Sequence, residues 1–202
     1  MNSKIDKTEK VMKDSSVLKS LIIKKEILKP KQIWLLNCHE SKARKFAKYV
    51  SKICGFSCPK EGFMKPLKGG KIIHVTDTFY ILINCGSGFN ISSIKELSEF
   101  GSIQDLKASF RILRITGKDS ARVLNRLVGI DAEEMKNGQC HSVPISSNTG
   151  YLNKINSTSF ELIVPSSYST YFELAIRAVV LGLENLGQSE IQLDYFLSKL
   201  RA

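Results

Sequence analysis

Residues 108–128 read ASFRILRITGKDSARVLNRLV, and residues 139–164 read QCHSVPISSNTGYLNKINSTSFELIV. In the first stretch Phe110, Ile112 and Ile115 alternate approximately with Arg111 and Arg114, which reads as a strand over 108–116 with some burial on both faces. Gly117 and Asp119 end it and open a helix through Val128. Asp119 stands where an N-cap belongs, and Val123, Leu124, Leu127 and Val128 form the apolar face. Three strands follow near Gln139–Ile145, Gly150–Ile155 and Phe160–Val164. A long apolar helix is expected from Ser167 to about Leu186, and a last amphipathic helix from Ile191 to Leu200. A strand, a helix, three strands and a closing helix make one α+β unit.

The region upstream follows a related plan without a strong sequence repeat. Gln32–Cys38 (QIWLLNC) reads as a buried strand. Glu40–Ile53 reads as a helix, with Ala43, Phe46, Ala47, Val50 and Ile53 on one face and Gly55 as its stop. Cys58–Gly70 reads as a loop. KIIHV and FYILIN flank Thr76-Asp77-Thr78 as a hairpin. Cys85–Asn90 is expected to turn on its glycines, and Ile91–Phe100 to form a short helix. The fold class expected is therefore α+β: two ferredoxin-like α/β halves with mostly antiparallel sheets. Their bounds fall at 31–103 and 104–187, with a C-terminal helix over 188–202. Residues 1–30 stand apart as a basic N-terminal arm, its first 15 or so residues reading as mobile. Within it, Ser16–Leu28 fits either an amphipathic helix or an extended segment, and Lys29-Pro30 ends that segment.

Composition narrows the functional classes. The chain has 202 residues, 43% hydrophobic and 24% charged, an ordinary globular balance. No apolar run approaches the roughly 18–20 residues of a membrane-spanning helix. The basic start lacks the apolar core of a secretory signal. Five scattered cysteines (38, 54, 58, 85 and 140) make no disulfide framework and fit a reducing, cytoplasmic setting. Residues 1–71 hold 18 Lys/Arg against 6 Asp/Glu, while 72–202 hold 12 against 13. The whole formal excess of +11 thus belongs to the first third. Such a field reads first as a solvated lysine-rich surface. Of the partners it could attract (nucleic acid, an anionic membrane surface or an acidic protein), it suits an acidic protein better than nucleic acid, because lysine dominates over arginine and no base-stacking aromatic strand accompanies it.

Motifs for chemistry are sparse. Gly86-Ser-Gly88 lacks the third glycine of a dinucleotide loop, and Gly117-Lys118-Asp119-Ser120 lacks the upstream glycine of a P-loop. Cys38-His39, Cys140-His141 and the pair Cys54 and Cys58 do not have zinc-site spacing. No G-x-S-x-G elbow occurs. His39, His74 and His141 lie in or beside strands, where a structural role fits, and Glu133-Glu134 read as a solvated turn. No catalytic, cofactor-binding or metal-binding residue is assigned from these patterns.

The stretch FRILRITGKDSARVLNRLVGIDAEEMKNGQCHSVPIS, followed by FELIVPSSYSTYF, resembles the gamma-subunit family of heterotetrameric sarcosine oxidases. More distantly it is similar to the folate-binding domains of aminomethyltransferases. The correspondence runs through Ile115-Thr116-Gly117, Asp119-Ser120-Ala121-Arg122, Val123-Leu124, Asp131, Gly138-Gln139-Cys140, Phe160–Val164 and Ser167-Tyr168. Cys58-Pro59 and Thr76-Asp77-Thr78-Phe79 are faint upstream counterparts, with Phe79 where the family has Trp. The likeness spans roughly 31–180; the lysine-rich arm has no clear counterpart.

This resemblance implies a non-catalytic gamma subunit in a cytoplasmic complex with alpha, beta and delta subunits. That complex would demethylate sarcosine oxidatively to glycine, with hydrogen peroxide and formaldehyde or 5,10-methylenetetrahydrofolate. It implies FAD, FMN, NAD and tetrahydrofolate on the other subunits, none on this chain alone, and neither nucleic acid nor membrane as partner. The alternatives are a stand-alone folate- or one-carbon-binding protein and, more weakly, a basic nucleic-acid-binding module. Aminomethyltransferases carry a Gly-Ile-Leu-Asp-Asp-like turn whose Asp acts at the folate site. The matching stretch is Gly150-Tyr151-Leu152-Asn153-Lys154, where an amide and a cation replace the acids and cannot take over a carboxylate's proton chemistry.

Overall fold

The computed structural model describes residues 23–55, 57–67, 69–84, 96–145 and 148–200. Among the described residues, ten strands and three α-helices follow one another as β1 (Lys24–Leu28), β2 (Ile33–Cys38), α1 (Ala43–Cys54), β3 (Phe63–Leu67), β4 (Gly70–Thr76), β5 (Phe79–Ile83), β6 (Gly101–Asp105), β7 (Phe110–Thr116), α2 (Ser120–Asn125), β8 (Cys140–Ile145), β9 (Asn148–Asn156), β10 (Ser159–Pro165) and α3 (Ser169–Leu200). They form two five-stranded antiparallel sheets, ordered β3-β4-β5-β2-β6 and β1-β7-β10-β9-β8. The class is α+β, as expected.

The alternation in each strand decides what its two faces cover. In the second sheet, Leu113, Ile115, Leu152, Phe160 and Leu162 point outward to a core completed by Val123 and Leu124 of α2 and Phe172, Ile176 and Leu183 of α3. In the first sheet, Leu36, Ile72, Tyr80 and Leu82 point outward to Phe46 and Val50 of α1. The remaining faces meet each other through Ile33, Ile73, Ile81, Ile83, Ile112 and Ile163. The layers therefore run helix, sheet, sheet, helix, with three cores. Backbone bonds tie the sheets at one margin: Met64 N donates to Gly138 O and Cys140 N to Gly62 O, both at 2.7 Å.

Several expectations change. Lys24–Leu28, grouped with the arm and left open between a helix and an extended segment, is extended: an edge strand paired with β7. Phe63–Leu67, read as loop, is edge strand β3, and Gly101–Asp105 is an unanticipated edge strand beside β2. The two C-terminal helices are one continuous helix, Ser169–Leu200. Asp119 sits at the N-cap of α2, yet its side chain makes no capping hydrogen bond. Gly55 ends α1 as read, in the left-handed conformation (φ 72°) that suits a glycine. The Cys85–Asn90 turn and residues 91–95 of the expected helix lie outside the described residues.

Candidate functional site

Cross-strand register places Glu26, Arg114, Glu161, Asn153 and Cys140 side by side across all five strands of the second sheet. Directly opposed residues share a face, so this row looks toward the other sheet. At its centre Glu161 is 1% exposed. Burying a carboxylate at that depth is costly unless it is paired and hydrogen-bonded. Arg114 donates to Glu161 Oε1 from Nη2 at 2.7 Å and from Nε at 3.2 Å. Lys71, arriving from β4 of the first sheet, donates to Oε2. This triad is an ionic tie between the sheets, at the inner wall of a cavity of about 550 Å³ whose lining includes Lys29, Lys71, Arg114, Glu161, Met64 and Ile155.

Burial, and secondarily the positive charge of Arg114, lowers the Lys71 pKa to about 8, with Cys140 opposing. The unfolded lysine titrates near about 10.4. Between those values the unfolded chain holds a proton that the folded chain has released, so stability rises with pH across that window and is flat below it. Lys71→Met removes this contribution. We expect the stability difference between the parent chain and Lys71→Met, followed by urea unfolding from pH 7 to 10, to move in the parent's favour above pH 8. A flat difference would refute the assignment. Cys140 acts in the opposite sense, since burial pushes its thiol up to about 12, but it cancels between the two proteins.

A further member of the row, Asn153, completes the site. Asn153 is fully buried, and neither amide atom has a hydrogen-bond partner. Its neighbour Lys154 turns to the opposite face. There Lys154 Nζ donates to the carbonyls of Ala132 (3.1 Å) and Glu133 (2.8 Å) and sits 5.5 Å from the Phe160 ring centroid. Of the two positions matched to the aminomethyltransferase acids, only Asn153 faces the inter-sheet space. The arrangement offers cations and an amide against one neutralised carboxylate. It therefore favours an anionic group and holds no poised general base.

The other residues weighed in the sequence do not converge. Cys38 lies in the α1 core and Cys140 in the inter-sheet core. His141 contacts Gln139, and His74 contacts the Pro59 carbonyl. Cys85 and the Cys54 side chain lie outside the described residues. Among the described residues no three His, Cys, Asp or Glu side chains gather as for a metal ion. Gly117 N donates to Thr158 O, and α2 behind it has six residues, so this turn does not fit a nucleotide phosphate; Gly86-Ser-Gly88 lies outside the described residues. Sequence reasoning missed Glu161, Lys71 and Arg114. The available signal was a glutamate in the middle of the apolar run FELIV, which demands partners.

This fold is that of the aminomethyltransferase type. The chain is similar to a chain of the heterotetrameric sarcosine oxidase from Corynebacterium sp. U-96 in complex with pyrrole 2-carboxylate. The TM-score is 0.66 at 12% identity, covering 84% of this chain and 92% of that one. It is also similar to the glycine cleavage system aminomethyltransferase T from Bartonella henselae, with TM-score 0.54 at 14% identity, covering 81% of this chain and 47% of that one. The chain thus spans about half the length of the latter. No family model matches the sequence, and no curated protein matches it significantly. Among the described residues no helix is long and apolar enough to cross a membrane.

Proposed function

We propose that this chain is a non-catalytic, gamma-type subunit of a sarcosine oxidase complex, acting with alpha, beta and delta chains in the cytoplasm. The observation that supports the reading is extent: the likeness to a chain of a heterotetrameric sarcosine oxidase takes in 84% of this chain and 92% of that one. The site agrees, because Glu161 is spent on Arg114 and Lys71 and Asn153 stands where a transferase acid would act. In such a complex the one-carbon oxidation belongs to flavin on other subunits. This chain supplies a rigid double-sheet body, and the lysine-rich first third suits an acidic partner surface.

Co-expression with candidate alpha, beta and delta chains, and purification through this subunit, tests the proposal. A yellow eluate producing peroxide on addition of sarcosine is expected, with assembly lost when this chain is omitted. A colourless chain eluting alone beside folded partners would overturn it. A stand-alone folate-binding role is the second reading. It is favoured by the inter-sheet cavity, where Lys29, Lys71 and Arg114 outnumber Glu161 and would suit a folate's anionic tail. Tetrahydrofolate binding by the isolated chain, weakened by Arg114→Gln, would support it; no binding would remove it.

A further inference from the structure

Among the described residues four large apolar side chains are exposed, and three of them stand on α3: Tyr171 (61%), Leu174 (62%) and Leu181 (52%). They share one face. The helix turns Phe172, Ile176 and Leu183 into the outer core. At 3.6 residues per turn the opposite face runs through Tyr171, Leu174, Ala178, Leu181 and Asn185, all exposed. Alternating steps of three and four residues make a seam of the kind that takes another helix. Single apolar residues on a surface need no explanation, whereas a row of them marks an interaction site.

The two flanks of the seam differ. One carries Arg177 and Glu184, seven residues apart and so two turns along the same side. The other carries Ala175 and Gly182. A Cβ at Gly182 would meet no atom of this chain within 4 Å. Nothing inside the fold therefore calls for glycine there, where alanine would hold the helix better. Glycine is needed where a second backbone comes close.

We infer that this face pairs with the same face of a second copy, the two α3 helices lying antiparallel about a two-fold axis beside residues 179 and 180. In that register Ala178 and Leu181 lie across from Leu181 and Ala178 of the second copy, and Leu174 lies across from Asn185. Arg177 then meets Glu184 of the second copy, and the symmetry makes this ion pair twice. On the other flank Ala175 meets Gly182, which lets the backbones approach. A parallel copy would set Arg177 against Gly182 and pair no charges. The positive excess of the chain does not oppose the contact, because residues 72–202 hold 12 Lys/Arg against 13 Asp/Glu. The face lies on the outer layer, away from the inter-sheet cavity, and the inference does not rest on the subunit reading.

The test is sedimentation velocity of the full chain from about 1 µM to about 1 mM, the span in which so small a contact forms. A shift from one copy to two with rising concentration is expected. Arg177→Glu alone, or Glu184→Arg alone, should weaken the pair about tenfold, because two attractive contacts become repulsive. The two changes together exchange the charges and should return the affinity to within about threefold of the parent chain. Gly182→Gln supplies a better helix former in open space, so it should raise the thermal midpoint of the dilute single copy while weakening the pair about tenfold. A chain that stays single throughout overturns the inference and leaves the face to another subunit. A pair indifferent to Arg177→Glu, a charge exchange that fails to restore it, or unchanged association in Gly182→Gln overturns it as well, since each places the contact elsewhere.

Discussion

Glu161→Gln is expected to lower the stability of the folded chain by about 3 kcal/mol. Removing one member of a buried ion pair typically costs about 3–5 kcal/mol, because the partner stays buried and uncompensated. Here the lower end applies for two reasons. The Arg114 side chain is 40% exposed and can turn its charge to water. Lys71 already titrates near about 8, and loses its proton more readily once the carboxylate has gone. Urea unfolding at pH 7 reads the loss, and its size should shrink at pH 9, where Lys71 is largely neutral. The double variant Glu161→Leu with Lys71→Met should recover most of the stability, since apolar replacements of a buried pair are often tolerated. A cost below about 1 kcal/mol for Glu161→Gln, within the range of an exposed pair, would show that the triad is solvated.

Phe160→Ala should cost about 3–5 kcal/mol, the range for deleting a fully buried aromatic side chain. Phe160 has no exposed surface and lies on β10, the middle strand of its sheet, beneath α2 and α3. Its loss also strips the ring from the Lys154 ammonium, a cation held otherwise by two carbonyls. Neighbouring Phe160→Leu keeps most of the volume and should cost far less. Denaturation midpoints of the two variants, with far-UV circular dichroism to confirm the sheet, check the contrast. Equal costs would mean that the outer core is loosely packed at that point.

What could be read in the sequence follows burial. Strands β2, β4, β5, β7, β9 and β10 carry apolar residues on one or both faces and announce themselves, as does α1 with its glycine stop. Three of the four sheet edges did not. Lys24–Leu28 is nearly all exposed, Phe63–Leu67 contains Pro66, and Gly101–Asp105 has only Ile103 as a large apolar residue. Edge strands need little apolar surface and tolerate proline and glycine, so their pattern is weak. The candidate site was half legible. Asn153 stood out against a family pattern, whereas Lys71 is 90 residues from Glu161 and on the other sheet, a pairing that no local periodicity encodes.

The threading of the two sheets sets an order of events during synthesis. Strands β2–β6 are contiguous in the chain, whereas β1, made first, pairs with β7, so that Lys24 meets Thr116. A ribosome releases residues 33–105 before β7 exists, so the first sheet can close while β1 still lacks its neighbour. Domains emerge and fold from the N-terminus as units, and pairings distant in sequence come late. The opening strand is therefore a latecomer to its own sheet: it is translated early and seated only after β7 has been made. Until then its unpaired edge is open to any other chain with a strand to offer.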